Sequence, residues 1–354
     1  MKSRMDHPLY REDIARVLKD VPLDSLSGKR ILVTGATGLL GTFLVDVLAA
    51  ANRSGANIRI LAVGRNRDRA LKRLGDYGPT ENVSFVEHDV RTPFPTDLQF
   101  DVAVGGASLT HPLAYSERPV ETILTNVDGT KNLLERATDC RATVLFLSSV
   151  EIYGNARDGN PFREQDTGML DLSTARSGYT ESKRVAEALC QAYVTEKGLD
   201  IRIARLCRVF GPTVLDTDTK ASSQFLGKAV EGEDIVLKSE GRQRFSYLHV
   251  SDAVSALLTI LVRGKPGCAY NVASPDCDVT LRDFAERAAA TAETRVVFDL
   301  PPETERRGYS IASTAILDAS RLRGLGWTSR LGFDDAVHRT IDVLCFLREN
   351  GSST

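Results

Sequence analysis

The chain has 354 residues, which exceeds the usual size of a single domain and predicts either one large domain with an appended lobe or two domains. Its 42% hydrophobic and 26% charged residues are typical of a globular protein, and a net charge of −2 gives no electrostatic reason to expect nucleic acid or a membrane as partner. The six cysteines form no C-x-x-C pair and lie near no histidine cluster, which argues against a disulfide framework and against a metal site. With a charged N-terminus and no apolar run of membrane-spanning length, these features predict a cytoplasmic protein.

Apolar side chains recur at helical spacing between Leu9 and Val21 and predict a short amphipathic helix in an N-terminal extension, residues 1–27. Five short apolar runs then read as buried strands: "KRILVTG", "IRILAVG", "VSFVEHDV", "FDVAVGGAS" and "ATVLFLSS". Helical segments such as "LLGTFLVDVLAAAN" and "PVETILTNVDGTKNLLERAT" alternate with them. Strands and helices that alternate in this way predict an α/β fold with a doubly wound parallel sheet.

The second half of the chain adds the amphipathic helix "GYTESKRVAEALCQAYVTEKG" and the strand "LDIRIARLCRVFG". Beyond Gly211 the pattern loosens, except that "YLHVSDAVSALLTILVRG" again reads as a strand followed by a helix. We therefore expect residues 28–206 to form the main domain, with 243–264 returning to it. Residues 207–242 and 265–354 are expected to form a smaller C-terminal lobe.

Glycines follow the first predicted strand at once, in "TGATGLLG", and a helix begins directly after them. Gly35, Gly38 and Gly41 have the spacing of a dinucleotide-binding turn, in which glycine allows a tight turn and lets the backbone approach a pyrophosphate. The N–H groups at the start of a helix and its dipole then attract the phosphates. This order of strand, glycines and helix predicts a dinucleotide cofactor.

The end of the second strand bears on the choice between NAD and NADP. An acidic residue there binds a ribose hydroxyl in NAD enzymes, whereas an arginine accommodates the 2′-phosphate of NADP. The sequence "VGRNRDR" has no carboxylate at that point and continues with Arg65 and Arg67, which favours NADP. Asp89, at the end of the third strand, is a candidate contact to the adenine.

A tyrosine and a lysine, Tyr179 and Lys183, lie four residues apart and therefore on one face of a predicted helix. An ammonium beside a phenol favours the phenolate, which lowers the pKa of the tyrosine and lets it exchange a proton with an alcohol. The stretch "LSSVEIYG" delivers Ser149 and Glu151 at the end of the fifth strand, where open parallel sheets bind their ligands. These residues alone leave two interpretations open: structural residues of a strand end and a helix, or a catalytic group made of all four.

From about residue 28 to residue 345 the sequence resembles the extended short-chain dehydrogenase/reductases, the NAD-dependent epimerase/dehydratase family that acts on nucleotide sugars. The resemblance rests on ordered motifs: "TGATGLLG", "TNVDGTKNLLERA", "LSSVEIYG", "YTESK", "RLCRVFGP", "YLHVSDAV", "YNVAS" and "LGW". It implies a Rossmann domain that binds NAD, a smaller lobe that closes over a nucleotide-sugar substrate, and a homodimer. It also implies catalytic roles for Ser149, Tyr179 and Lys183, with Asn126 supporting the lysine.

Two further sets of residues complete the predicted site. The expected cofactor-binding residues are Gly35, Thr37, Gly38, Leu39, Leu40, Gly41, Arg65, Asp89, Val90, Ala107, Asn126, Tyr179 and Lys183. The expected substrate-binding residues are Ser108, Arg208, Lys220, Gln224, Arg244 and His249.

Which reaction follows oxidation of the sugar at C4 depends on the residues around Glu151. The resemblance implies a small residue or threonine there in 4-epimerases, and a glutamate in 4,6-dehydratases and UDP-glucuronate decarboxylases. Many dehydratases carry an aspartic acid one residue earlier, where this chain has Val150. A β-keto acid loses CO₂ without such an acid, so the sequence looks closest to the decarboxylase branch, with dehydratase or epimerase as the alternative.

Two positions depart from that branch. Arg208 stands where the "RxxNxxGP" motif has asparagine, and Phe245 stands where those enzymes have arginine. Arg208 is either a surface residue at a strand end or a residue whose planar guanidinium binds a carboxylate or phosphate in the pocket.

Two other hypotheses for the function of the protein stay open: an NADP-dependent carbonyl reductase, supported by Arg65 and Arg67, and a non-catalytic dinucleotide sensor.

Overall fold

A computed structural model of the protein describes residues 2–75, 77–110, 112–154, 160–300 and 314–351. The strands in these ranges are β1 (Arg30–Thr34), β2 (Arg59–Gly64), β3 (Val83–Glu87), β4 (Val102–Gly105), β5 (Thr143–Ser149), β6 (Ile201–Leu206), β7 (Arg208–Phe210), β8 (Ile235–Leu237), β9 (Arg244–His249), β10 (Ala269–Val272), β11 (Asp278–Thr280) and β12 (Val296–Phe298). The α-helices are α1 (Pro8–Asp20), α2 (Leu39–Arg53), α3 (Arg67–Leu74), α4 (Pro112–Glu117), α5 (Pro119–Cys140), α6 (Ser177–Lys197), α7 (Ala221–Glu231), α8 (Val250–Arg263), α9 (Leu281–Thr291), α10 (Ser320–Arg323) and α11 (Phe333–Glu349).

Seven parallel strands form the main sheet in the order β10-β6-β5-β4-β1-β2-β3. Successive side chains of a strand point to opposite faces, so each apolar strand contributes to two cores. On β1, Ile31 and Val33 pack with helices α1, α2 and α8, whereas Leu32 packs with α5 and α6 on the other face. Helices on both faces of a parallel sheet are the predicted doubly wound α/β architecture, which the structure confirms.

A second core lies beside the carboxyl ends of the main strands. Helices α7, α9 and α11 enclose it together with the sheets β11-β9-β7 and β12-β8. Aromatic rings fill its centre, where Phe284 contacts Phe210, Tyr247 and Phe333 at centroid distances of 5.1, 4.9 and 5.3 Å. These elements are the smaller lobe that the loosened sequence pattern suggests.

Individual elements differ from the predicted boundaries. Strand β9, expected to return to the main sheet, pairs instead with β7 and β11, and only α8 packs against the main sheet. Conversely, β10 lies within residues 265–354, which we expect to form the smaller lobe, but it pairs with β6 at the edge of the main sheet. The run "IARLCRVF" is two strands, because the chain leaves the main sheet at Cys207. Short apolar strands carry no signal for their partner, so their register is decided by tertiary packing.

The N-terminal extension contains the predicted helix, α1, and a buried polar cluster holds it on the main domain. The Arg4 guanidinium donates to the Asp46 carboxylate of α2, with Nε 2.6 Å from Oδ2, and the hydroxyls of Tyr10 and Tyr77 donate to the same carboxylate. Asp46 is fully buried, so its charge needs these partners. The cluster therefore ties the first residues of the chain to the helix that follows the glycine turn.

Candidate active site

A cavity of about 970 Å³ opens beyond the carboxyl ends of the main strands and extends toward the smaller lobe. Most of the predicted site residues line it: Gly35, Thr37, Gly38, Leu39, Leu40, Gly41, Arg65, Asp89, Val90, Ala107, Ser108, Ser149, Glu151, Tyr179, Lys183, Arg208 and Lys220. This location is the one at which open parallel sheets bind ligands.

The glycine turn forms one end of the cavity. Gly35 has φ +72°, and a Cβ there would lie 2.8 Å from the Gly106 carbonyl oxygen. A Cβ on Gly41 would lie 2.2 Å from the Gly35 oxygen, so only glycine lets α2 begin so close to the turn. Gly38 is the N-cap of α2 and no side chain caps the helix, which leaves its first N–H groups directed toward the cavity. The turn thus fits the pyrophosphate of a dinucleotide.

Tyr179 and Lys183 lie side by side in the first turns of α6, and both are buried. Burial raises the pKa of Tyr179 to about 12, and the hydroxyls of Ser149 and Tyr115 lower it only in part. Desolvation of the phenolate thus outweighs the other contributions, and the expected effect of the lysine stays a prediction. Burial also lowers the pKa of Lys183 to about 8, and its Nζ donates to the Leu147 oxygen at 2.9 Å.

Asn126 acts on this pair from a distance. Its amide oxygen accepts from Ser108 Oγ at 2.7 Å and its Nδ2 donates to Ser182 Oγ at 2.9 Å. Ser182 in turn donates to the Tyr179 carbonyl oxygen at 2.8 Å. Asn126 is buried behind the cavity lining, so it fixes the first turn of α6 that carries Tyr179 and Lys183. Asn126 does not line the cavity, and its expected contact with the cofactor stays a prediction.

Glu151 lies in a short turn after β5, two residues beyond Ser149, whose Oγ accepts from the Glu151 N–H at 3.2 Å. Its Oε1 lies 3.5 Å from Nη2 of Arg208, the first residue of β7. The Arg208 guanidinium stacks on Phe245 with its carbon 3.8 Å from the ring centroid. Val150, between Ser149 and Glu151, is buried and apolar.

Three predicted substrate contacts lie away from the cavity. Gln224 is exposed and donates to the Thr219 oxygen at 3.2 Å, while exposed Arg244 donates to the Asp278 oxygen at 3.3 Å. His249 is buried beneath Phe210, and burial lowers its pKa to about 3, so the ring is a neutral packing residue. Arg244 and His249 do not line the cavity, because β9 joins the small sheet and pairs with β7 and β11.

The sequence analysis missed Tyr115. Its ring stacks on Tyr179 with a centroid distance of 4.5 Å and an interplanar angle of 24°. Burial, with smaller effects from Tyr179 and Glu151, raises the pKa of Tyr115 far above its usual range, so it is a permanent hydroxyl donor. Helix α4, which carries it, has only six residues, and no spacing in so short an element points to a site.

Membrane-spanning helices and metal clusters are absent from the part of the chain that the structure describes. None of its helices is both long and apolar enough to cross a bilayer. No group of three or more metal-ligating side chains occurs in the described ranges.

Residues 31–273 match the family described as NAD dependent epimerase/dehydratase. The chain belongs to this family of enzymes. Among its relatives, UDP-glucuronic acid decarboxylase 1 of Danio rerio is 29% identical over 91% of this chain and 73% of its own length. UDP-glucuronic acid decarboxylase 6 of Arabidopsis thaliana is 30% identical over 86% of this chain and 85% of its own length.

Solved structures of the NAD dependent epimerase/dehydratase fold superpose on most of the chain. The dTDP-glucose 4,6-dehydratase of Bacillus anthracis, in complex with NAD, has a TM-score of 0.74 at 20% identity and covers 91% of this chain and 97% of its own. The UDP-glucose 4-epimerase of Thermotoga maritima, with UDP-glucose, has a TM-score of 0.75 at 19% identity and covers 91% of this chain and 99% of its own. At these identities the likeness establishes the fold.

Replacing Tyr115 with phenylalanine keeps the ring stacked on Tyr179 but removes the Tyr115 hydroxyl. Because that hydroxyl lowers the pKa of Tyr179, we expect the pKa to rise in the variant, the ascending limb of the kcat profile to move to higher pH, and the rate at neutral pH to fall roughly fivefold, the size of one net hydrogen bond. Steady-state rates across the pH range measure this. Tyr115→Ala removes the stacking as well, and an unchanged pH profile in Tyr115→Phe would contradict the role of the hydroxyl.

Proposed function

We propose that this enzyme is a nucleotide-sugar decarboxylase that acts on UDP-glucuronate or a close analogue. The observation that carries the proposal is the set of side chains that line the cavity at the end of β5. Ser149, the apolar Val150 and Glu151 follow one another there, opposite Tyr179. Relatives named UDP-glucuronic acid decarboxylase, at 30% identity over most of both chains, support the same reaction.

NAD is the cofactor of the family, and the cavity fits a dinucleotide. The turn around Gly35 and Gly41 would hold the pyrophosphate, Asp89 and Val90 would contact the adenine, and Lys183 would hold the ribose of the nicotinamide half. When bound, NAD supplies reversible hydride acceptance, which is the chemistry the side chains lack.

Tyr179 would take the proton of the sugar C4 hydroxyl as that carbon is oxidised. The hydroxyls of Ser149 and Tyr115 favour the phenolate that burial disfavours. Ser149 would share the hydrogen bond to the same sugar oxygen. Asn126, through Ser182, keeps the helix turn beneath Tyr179 in place.

The 4-keto uronate is a β-keto acid, so its next step needs no acid at position 150. The C5–C6 bond breaks, CO₂ leaves, and the electron pair moves through C5 onto the C4 oxygen as an enolate. A solvent proton then adds at C5, and reduction of the C4 ketone returns the proton from Tyr179 to O4. Loss of a C6 hydroxyl, as in a 4,6-dehydratase, would require a general acid, and buried Val150 supplies none.

Incubation of the purified enzyme with UDP-glucuronate should release CO₂, with a mass loss in the nucleotide product that mass spectrometry detects. Tyr179→Phe should lower the rate at least ~100-fold, because it removes the proton-exchanging hydroxyl. Tyr193→Phe, on the same helix but outside the cavity, is the matched control and should retain the wild-type rate.

Other outcomes would point elsewhere. Loss of water from a neutral nucleotide hexose indicates a dehydratase, and a new isomer of unchanged mass indicates an epimerase. Steady NADPH consumption on a carbonyl compound, without turnover of any nucleotide sugar, would support the reductase hypothesis and overturn the proposal.

We infer that NAD is preferred over NADP, because the arginine that favours NADP is already paired. Arg65 Nη1 lies 2.7 Å from Glu121 Oε1 and 3.9 Å from Asp89. Arg67 lies outside the cavity and is 4.0 Å from Glu87. Two carboxylates near Arg65 repel a 2′-phosphate as much as the guanidinium attracts it.

Glu121→Gln should release Arg65 and shift the ratio of the NADPH and NADH dissociation constants roughly two- to fivefold toward NADPH, the size of an exposed ion pair. Titration of both nucleotides by cofactor fluorescence measures the ratio. Glu135→Gln, which breaks the exposed pair with Lys131 farther along α5, should leave it unchanged. A wild-type enzyme that binds NADPH more tightly than NADH would refute the inference.

We propose that the enzyme is a homodimer assembled through α5 and α6. Apolar side chains are exposed on this helix pair, among them Val120, Leu124 and Val185, which are 66%, 40% and 45% exposed. An exposed apolar patch of this kind is typical of a protein interface.

The cysteines, none of which is in a disulfide in the described chain, support the expected cytoplasmic location.

Leu124→Asp combined with Val185→Asp should convert the dimer to a monomer, since two charges would be buried in the contact. Sedimentation velocity at micromolar concentration distinguishes the two states. Leu71→Asp changes a leucine on α3 that is 61% exposed, more than Leu124 or Val185, and should leave the dimer intact. A wild-type monomer would contradict the proposed assembly.

A further inference from the structure

Arg208 and Glu151 face each other across the end of the cavity that contains Tyr179. Their side chains are about one third exposed, and Arg208 Nη2 lies 3.5 Å from Glu151 Oε1. That separation is long for a hydrogen bond between charged groups, which are usually 2.7–2.9 Å apart. The two groups therefore attract each other without being locked together.

The guanidinium is held in one orientation while keeping unused donors. It stacks on the ring of Phe245 at 3.8 Å, and its buried Nε has no hydrogen-bond partner among the described residues. Guanidinium has five N–H donors in a fixed plane, which matches the two oxygens of a carboxylate. Arg208 is thus oriented for a ligand and only partly satisfied by Glu151.

Three other cations of the cavity lie closer to a carboxylate than Arg208 does. Arg91 lies 2.5 Å from Asp89, Arg65 lies 2.7 Å from Glu121, and Lys220 lies 2.8 Å from Asp218. A carboxylate that approached Glu151 would meet like-charge repulsion unless a cation lay between the two. Arg208 is at that position, whereas a neutral sugar would need no such cation.

We propose that Arg208, supported by Phe245, binds the C6 carboxylate of the substrate and selects a hexuronate over a neutral hexose. The inference rests on the proposed function and names the residue that determines its substrate class. The ring of Phe245, on strand β9, supports a cation supplied by the neighbouring strand β7. When the substrate arrives, Arg208 exchanges Glu151 for the substrate carboxylate as its ion-pair partner.

The same geometry limits how Arg208 affects the rate. Decarboxylation moves negative charge from the carboxylate to the C4 oxygen, so a cation bound to the carboxylate stabilises the ground state more than the transition state. Arg208 therefore acts on KM and on the dissociation constant, and kcat is unchanged or higher without it. A merely structural residue would lower kcat and weaken all ligands together.

The test compares binding of UDP-glucuronate, UDP-glucose and UDP to the wild type and to Arg208→Gln by calorimetry. We expect the dissociation constant of UDP-glucuronate to rise roughly 10- to 100-fold, the size of hydrogen bonds to a charged group, and those of UDP-glucose and UDP to change less than about threefold. Phe245→Leu should cause a smaller loss for UDP-glucuronate alone. Arg242→Gln, an arginine of the smaller lobe that is 80% exposed, is the control.

Equal weakening of all three ligands would overturn the proposal, because Arg208 would then contact the diphosphate or support the fold. Unchanged UDP-glucuronate binding would also overturn it. Arg208→Lys keeps the charge without the planar fork, so it should retain part of the preference for UDP-glucuronate. This variant tests the inference if Arg208→Gln does not fold. CO₂ release by the wild type tests the proposed reaction separately: a protein that loses its uronate preference in Arg208→Gln but releases no CO₂ would refute the reaction and keep this inference.

Discussion

The parallel register of β1, β4, β5 and β6 is the constraint on which the rest of the molecule depends. Parallel pairing brings the carboxyl ends of these strands to one edge, with Thr34 opposite Gly105 and Ser149 opposite Leu206. Everything that forms the site leaves the sheet at that edge. A shift of one residue would turn each side chain to the opposite face, so burial on both faces of the sheet maintains the register.

Burial within this edge also sets the electrostatics of the site. It opposes the charged form of both Tyr179 and Lys183, raising the pKa of the phenol to about 12 and lowering that of the ammonium to about 8. The hydroxyls of Ser149 and Tyr115 on one side and the Leu147 carbonyl on the other offset part of this cost. Tyr179 and Lys183 are thus removed from water, which is the condition under which oriented polar groups act strongly on a transition state.

The smaller lobe contributes to the cavity at the point where the chain leaves the main sheet. Cys207 separates β6 from β7, and Arg208 begins the strand that joins the lobe. Its pairing with β9 lies in the small sheet, where Arg208 is opposite Tyr247. The substrate end of the cavity is therefore shaped by both sheets, and a single residue at their junction carries the charge that faces Glu151.

The sequence by itself determined the α/β class and the glycine turn, and it singled out Ser149, Tyr179 and Lys183, which line one cavity. These features depend on local patterns: apolar runs of strand length, a glycine spacing that permits close backbone approach, and two residues on one helical face. Only the tertiary structure decided the partners of β9 and β10, the neutral buried state of His249, the stacking of Tyr115 on Tyr179 and the pairing of Arg208 with Glu151. These depend on contacts between residues far apart in the chain and on desolvation, a property of the folded surroundings that no local pattern encodes.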